Sequence, residues 1–218
     1  MMPVEPRAAT SSAPNAQAPA RRRRRSREAA SLEIVAAAEA FLREQPFREL
    51  SVEEVMARTS LSRPSFYVYF RDRYELLLRL VEEIGADLME MASRWFEGGG
   101  EPAQDVRHAL EGVVAVYRDH GLTMRAISDA SSVDPAVERV YEDLIHSFVD
   151  ATAAHLADEI AAGRRRPLAD PDDTAFGLVW MTERYLSRSF GRPEPRVSGE
   201  RAVETLQGIW VRVLYPAA

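Results

Sequence analysis

The chain has 218 residues, 46% of them hydrophobic, and no cysteine, a composition typical of a globular protein with a sizeable core. The lack of cysteine excludes disulfides, thiolate zinc sites and cysteine nucleophiles. No apolar stretch is long enough to span a membrane, and residues 1–20 lack the apolar run of a secretion signal, so we expect a cytoplasmic protein.

The net charge of −6 hides a strong asymmetry along the chain. All 28 basic residues are arginine, and the region after residue 73 is strongly acidic. A basic arm on an acidic body favours a polyanion such as DNA as a partner, although a solvated tail or a targeting signal has the same composition. The arm consists of Arg21, Arg22, Arg23, Arg24 and Arg25.

The N-terminal part of the chain is predicted to contain a disordered segment followed by two helices. Residues 1–25 are predicted to be disordered, since prolines among small polar residues cannot build a core. No later stretch alternates apolar and polar residues as a strand does, so the rest is predicted to be helical. A first helix covers about 27–45 and ends at Pro46. A short second helix begins at Ser51, which forms a capping-box pattern with Glu54.

The remaining helices follow from caps and from apolar spacing. A very short third helix, about 63–69, has Ser62 at its N-cap, and a fourth helix over 73–96 begins at Asp72. Five more are predicted over about 103–119 and 122–130, from Asp134 to Gly163, from Asp170, and from Ser198. The predicted fold is therefore all-α.

The first three helices have the lengths and tight turns of a helix-turn-helix unit, whose short last helix fits a DNA major groove. Phe66 and Phe70 are expected to pack inward, which turns Tyr67 to another face. A small helical subdomain with a polar rim is the alternative. The residues that can reach phosphates or base edges are Ser51, Ser62, Arg63, Ser65, Tyr67 and Tyr69.

Residues 51–57 and 61–77 resemble the signature of the TetR family of bacterial regulators. That signature is S/T-V-x-x-[IV]-A, then G-[VI]-S-x-x-[TS]-[FIL]-Y-x-[YH]-F, then x-[DS]-[KR]-x-x-L-L. Ser60 stands where glycine is usual, and Arg73, which joins the candidate DNA contacts, stands where lysine is usual.

The resemblance implies a homodimer of all-helical subunits that acts on a double-stranded DNA operator, more often as a repressor than as an activator. Each subunit has a helix-turn-helix domain, here 26–73 after the arm 1–25, and a ligand-binding and dimerisation domain, here 74–218. The helices at about 171–190 and 198–215 are expected to dimerise as a four-helix bundle. The apolar residues expected at that interface include Leu186, Phe190, Ile209 and Val213.

The C-terminal half is similar to one branch of that family, the mycobacterial ethionamide-resistance repressors, over residues 181–190 and 204–215. The similarity implies a tunnel-like pocket between helices. Val179 and Thr182 replace two polar amides of that branch, which implies a different, apolar or amphipathic small-molecule effector. The matching pocket residues are Val106, Ala109, Leu110, Val113, Tyr117, Tyr141, Ile145, Phe148, Thr152, Val179, Thr182 and Trp210.

Other chemistry is not indicated. The four histidines form no metal-binding pair, and phosphate-loop and dinucleotide patterns do not occur, so we expect no metal, no cofactor and no enzyme activity. Glu183 falls on an inward stripe, where we expect it to pair with Arg184, Arg188 or a partner-subunit residue rather than to act as a general base. The alternative to a regulator is a helical small-molecule-binding protein without operator function.

Overall fold

The computed structural model describes residues 17–98 and 100–215, with side chains from residue 27 onward. Helices joined by short loops account for these residues, and the described part of the chain contains no strand, which confirms the predicted all-α fold. The elements are α1 (Gln17–Glu44), a 3-10 turn (Phe47–Glu49), α2 (Val52–Met56), α3 (Arg63–Phe66), α4 (Arg73–Glu97), α5 (Pro102–Ser131), α6 (Pro135–Ala161), α7 (Pro171–Phe190) and α8 (Gly199–Leu214). We call α1–α3 the N-terminal unit and α5–α8 the C-terminal unit.

Helix α1 starts earlier than predicted. It begins at Gln17 rather than near residue 27, so residues 17–25 of the predicted disordered segment are helical. Arginine and alanine, which dominate this stretch, are among the best helix formers, so the stretch extends α1 toward the N-terminus. Residues 1–16 of the predicted arm lie outside the described residues.

The predicted helix starts are confirmed by their hydrogen bonds. At each of five N-caps a side-chain oxygen accepts a backbone N–H of the first turn, which satisfies an orphan donor. Ser62 also occupies an N-cap, but its Oγ lies 2.8 Å from the Oγ of Ser65 and not on an amide. The five predicted caps with such a bond are Ser51, Asp72, Asp134, Asp170 and Ser198.

Helix α5 is continuous where two helices were predicted. Gly121 was expected to separate them, but it lies inside α5, where the helix meets the end of α7. A Cβ at this position would lie 2.7 Å from the carbonyl oxygen of Phe190. Gly121 therefore permits a close backbone approach and does not end a helix.

The buried face of α4 is shifted from the inward stripe that helical spacing predicts, which consists of Tyr74, Leu77, Leu78, Val81, Ile84, Leu88, Met91 and Trp95. Leu77, Val81, Ile84, Leu88 and Trp95 are buried as expected, and the correction concerns two predicted core residues. Leu78 and Met91 are exposed, and Leu76, Leu80 and Ala92 are buried in their place. The reason is that α4 packs against α1, α5 and α6, so three neighbours determine its buried face.

Polar contacts join the N-terminal unit to the C-terminal unit. The Tyr74 hydroxyl, in the first turn of α4, donates to Asp134 Oδ2 at the start of α6, at 2.7 Å. Glu39 on α1 contacts His120 Nδ1 on α5, and this carboxylate raises the pKa of His120. Arg43 donates to the carbonyl oxygen of Asp119 at 3.2 Å. The contacts of Glu39 and Arg43 thus join α1 directly to α5, and Tyr74 joins α4 to the start of α6.

None of the helices in the described ranges combines the length and the apolar character needed to cross a bilayer.

The substitution Gly121→Ala should destabilise the protein although alanine favours helix. The new Cβ would overlap a backbone carbonyl that cannot rotate away, and overpacking of this kind costs about 1–3 kcal/mol. We expect the midpoint of thermal unfolding to fall by several degrees. Ala115→Gly, at an exposed position of the same helix, measures the effect of helix propensity alone. A rise in the unfolding midpoint for Gly121→Ala would contradict the close approach of α5 to the end of α7.

Candidate nucleic-acid interface and ligand cavity

Helix α3 presents one face to solvent and buries the other. Phe66 and Phe70 are buried as predicted, with ring centroids 5.6 Å apart. Arg63 is exposed at the first position of the helix, and Tyr67 is 59% exposed. The exposed face thus carries a guanidinium and a phenol hydroxyl, two groups that bond to base edges and phosphates.

The turn before α3 is held by side chains of its neighbours. Glu33 on α1 accepts a hydrogen bond from the Ser60 N–H, and the Leu61 N–H donates to Thr59 Oγ1 at 3.2 Å. Arg58 contacts Glu44 and Glu54, at 3.2 and 3.3 Å. No described non-glycine residue has a positive φ, so Ser60 replaces the usual glycine without backbone strain.

The serines and Tyr69 of the predicted interface differ in exposure. Ser51 and Ser62 are exposed at the starts of α2 and α3, on the same unit as Arg63. Ser65 is half-buried, and Tyr69 packs against the hydrophobic core, so little of either side chain faces solvent. The side chains of Arg21 to Arg25 lie outside the described residues.

Arg73 is a correction to the predicted interface. Its guanidinium donates to the carbonyl oxygen of Leu50 at 3.2 Å and lies over the rings of Phe47 and Tyr74 at 4.9 and 5.1 Å. The signature gave the residue type but not the direction of the side chain. Arg73 therefore fastens the start of α4 to the loop before α2.

A cavity of about 90 Å³ lies within the C-terminal unit, against α4. One water molecule needs about 10–15 Å³ by the same measure, so this cavity is large enough for a small apolar group. All but one of the twelve predicted pocket residues line the cavity. The exception is Tyr141, which is buried with its ring 6.3 Å from that of Trp180.

Helix α4 contributes a wall of the cavity that the family resemblance did not predict. Leu88, Ala92, Trp95 and Phe96 line the cavity from this helix, and their spacing along one helical face was visible in the sequence. Three residues from other helices were missed as well: Met124, Leu144 and Glu183.

Aromatic side chains and one hydroxyl shape the base of the cavity. Trp95 and Trp210 meet edge to face with ring centroids 5.4 Å apart. The Trp210 indole N–H donates to Thr182 Oγ1 at 2.9 Å, so this hydroxyl is held in a fixed position. The His155 ring packs against Trp95 at an interplanar angle of 53°, and burial lowers the pKa of His155, which favours the neutral imidazole. The cavity surface is therefore predominantly apolar and aromatic.

Glu183 is the one acidic residue of the cavity lining. Its side chain is only 3% exposed, and neither carboxylate oxygen has a hydrogen-bond partner within the described residues. The expected pairing is weak, because Arg184 Nε lies 3.6 Å away and that side chain is half exposed. Burial raises the pKa of Glu183; the Tyr141 hydroxyl and the charges of Arg184 and Arg188 offset only part of this rise.

The outer faces of α7 and α8 expose apolar side chains, but not all those expected. Phe176 and Val213 are exposed, and Ile209 is half-buried. Leu186 and Phe190, expected at a dimer interface, are buried in the core of the subunit, which corrects that assignment. Helix α7 packs against α5 and α6, and its helical pattern alone does not distinguish these neighbours from a partner subunit.

Comparison with known proteins assigns both halves of the chain. The family described as "Bacterial regulatory proteins, tetR family" matches residues 34–80, and "Transcriptional regulator EthR, C-terminal domain" matches residues 106–216. The HTH-type transcriptional regulator EthR of Mycolicibacterium smegmatis is 29% identical over 87% of this chain and 86% of its own. EthR of Mycobacterium tuberculosis is 28% identical over 94% and 97%.

Solved structures share the fold. A putative TetR-family regulator from Syntrophomonas wolfei superposes with a TM-score of 0.73 at 12% identity, over 87% of this chain and 95% of its own. Salmonella enterica GusR gives a TM-score of 0.69 at 18% identity, over 84% and 94%.

Glu183→Gln should change how stability depends on pH. A raised pKa in the folded state means that the wild-type protein loses stability as the pH rises from about 4.5 to the folded pKa, by about 1.4 kcal/mol per pH unit in that window. The amide does not titrate. We therefore expect the unfolding midpoint of Glu183→Gln to rise relative to wild type across this window.

All other titrating groups are common to both proteins, so the difference between their thermal unfolding curves isolates Glu183. A difference that stays constant from pH 4 to pH 8 would show that the carboxyl has an ordinary pKa.

Proposed function

The chain belongs to the TetR family of transcriptional regulators, with a C-terminal domain of the EthR type, and from this we propose that it is a ligand-released repressor. In this proposal a dimer binds a palindromic operator, and a small apolar or amphipathic molecule in the cavity releases it. One observation carries the proposal: α4 is fastened to the N-terminal unit at one end and lines the cavity at the other.

Operator binding is supported by the exposed face of α3. In a two-fold dimer the two copies of α3 enter successive major grooves, so half-sites lie about one helical turn (~34 Å) or a similar multiple apart. Arg63 and Tyr67 are placed to meet base edges, and Ser51 and Ser62 to meet phosphates. A ligand-binding protein without operator function is not favoured, because the TetR-family match covers the helix-turn-helix and because Arg63 and Tyr67 are exposed there.

Dimerisation is assigned in this proposal to α7 and α8. Phe176 and Val213 are large apolar side chains left exposed on these helices, with Trp180 and Ile209 partly exposed beside them. A second copy packed as a four-helix bundle buries all of them. The same arrangement sets the distance between the two copies of α3.

The cavity and the operator are then linked thermodynamically. A ligand that prefers one spacing of the two N-terminal units weakens DNA binding, and DNA weakens ligand binding by the same factor. Coupling of this kind amounts to about 1–3 kcal/mol in known cases.

Arg63→Ala should weaken binding to the operator by about 1–3 kcal/mol and relax the preference at one base position, because a bidentate contact to guanine is lost. Mobility shifts on the intergenic DNA that flanks the gene, with single-base variants of the site, measure both effects. Arg79→Ala, an exposed arginine of α4 away from α3, is the matched control. An equal loss on every DNA sequence would make Arg63 a phosphate contact instead.

The arginine arm should add affinity without specificity. Replacing Arg21 to Arg25 by glutamine retains side chains of similar length and removes five positive charges. The plot of log affinity against log salt should then flatten by about 0.9 for each lost phosphate contact. The ranking of operator variants should stay the same, since phosphate contacts position a protein without reading sequence. An unaltered slope would show that the arm does not touch DNA.

A further inference from the structure

Glu183 places an acidic group without a hydrogen bond on the wall of an apolar cavity. The carboxyl group lies on the inner face of α7, beside Thr182 and Val179. An ionised carboxylate in such surroundings costs several kcal/mol unless it is paired, and buried polar groups in folded proteins almost always have partners. Glu183 is a lining residue of the cavity, and a buried carboxylate next to a cavity can gain a partner when a ligand enters.

Further polar groups surround it without satisfying it. The Tyr141 hydroxyl and Ser187 Oγ are buried close to Glu183 and oppose the rise of its pKa, but neither forms a hydrogen bond of normal geometry in the described part of the chain. Burial raises the pKa of Tyr117 and Tyr141, and the neighbouring Glu183 carboxylate raises it further. The cavity thus has Glu183 and Tyr117 in its lining, with the Tyr141 hydroxyl behind them, in contrast to the apolar remainder.

The surroundings favour a positive charge beside Glu183. The cavity lining contains no arginine or histidine, and the two nearest guanidinium groups, of Arg184 and Arg188, belong to exposed residues of α7. Five aromatic side chains line the same space, and the face of an aromatic ring attracts a cation. The five are Trp95, Phe96, Tyr117, Phe148 and Trp210.

We propose that the effector is an amphipathic amine whose ammonium group pairs with the carboxylate of Glu183 while its apolar part fills the cavity. The ammonium N–H donates to the carboxylate oxygens, and a proton held by Glu183 in the empty cavity leaves to solvent as the ion pair forms. An anionic ligand is repelled, and a neutral alcohol forms a hydrogen bond without the charge. This inference rests on the proposed function, since it takes the cavity as the effector site.

Three probes of equal chain length test the head group: octylamine, 1-octanol and octanoate. Each is titrated into the full-length protein at pH 7, with tryptophan fluorescence as the readout, because Trp95 and Trp210 line the cavity. Octylamine should bind at least about tenfold more tightly than 1-octanol, which corresponds to ~1.4 kcal/mol of binding free energy. Octanoate should bind most weakly of the three.

Variants of Glu183 test whether its carboxylate binds the ammonium group. Glu183→Gln should weaken octylamine binding about tenfold and leave 1-octanol within a factor of about two, and retained octanol binding shows that the cavity is folded. Glu142→Gln, an exposed glutamate of α6, should leave all three affinities unchanged. Glu183→Asp, which withdraws the carboxylate by one methylene, should also lower the preference for octylamine and serves if the glutamine variant does not fold.

Equal affinities for octylamine and 1-octanol, or a preference for octylamine that survives both Glu183 variants, would overturn this inference and leave the cavity as the effector site. Failure of all three probes to bind would instead contradict the cavity as a ligand site, and with it the ligand part of the proposed function.

Discussion

The first turn of helix α4 is fastened to the N-terminal unit. Residues near the other end of the helix line the cavity of the C-terminal unit. Its first residue, Arg73, donates to Leu50 and covers Phe47, and Tyr74 reaches Asp134 at the start of α6. Leu88, Ala92 and Trp95 form a wall of the cavity. A helix of 25 residues is about 37 Å long and stiff, so a displacement at the cavity reaches the N-terminal unit.

The chemistry of the cavity follows from what α4, α7 and α8 place around it. Trp95 meets Trp210, and Trp210 in turn fixes the hydroxyl of Thr182, so the aromatic base is well ordered. Glu183 is the one acidic residue in this apolar lining, and its burial lowers the stability of the protein when the cavity is empty. Natural proteins tolerate such local violations at functional sites, where a ligand supplies the missing partner.

Local sequence signals predicted the features that depend on neighbouring residues. The caps at Ser51, Asp72, Asp170 and Ser198 need only a side chain and an amide two or three residues away. The inward turn of Phe66 and Phe70 follows from helical spacing. Eleven cavity residues came instead from the family resemblance, because periodicity does not distinguish a cavity wall from a packed core.

The wrong predictions depended on contacts between distant parts of the chain. Gly121 was read as a break because its partner, the backbone of Phe190, is remote in sequence. Leu186 and Phe190 were assigned to a dimer interface because an apolar stripe does not reveal which helix covers it. Arg73 matched the family signature, but its guanidinium finds acceptors in the loop before α2, and that loop's position depends on the fold.

If α4 links the cavity to the operator, filling the cavity moves the two N-terminal units of a dimer relative to each other. The chain has no cysteine, so Ala36→Cys, at an exposed position of α1, allows one spin label per subunit and a distance measurement by double electron–electron resonance. Ala109→Leu fills the cavity from α5, opposite α4. We expect this second substitution to shift the label-to-label distance by about 2 Å or more, the scale of helix shifts in known switches. A distance distribution that is the same with and without Ala109→Leu would contradict it.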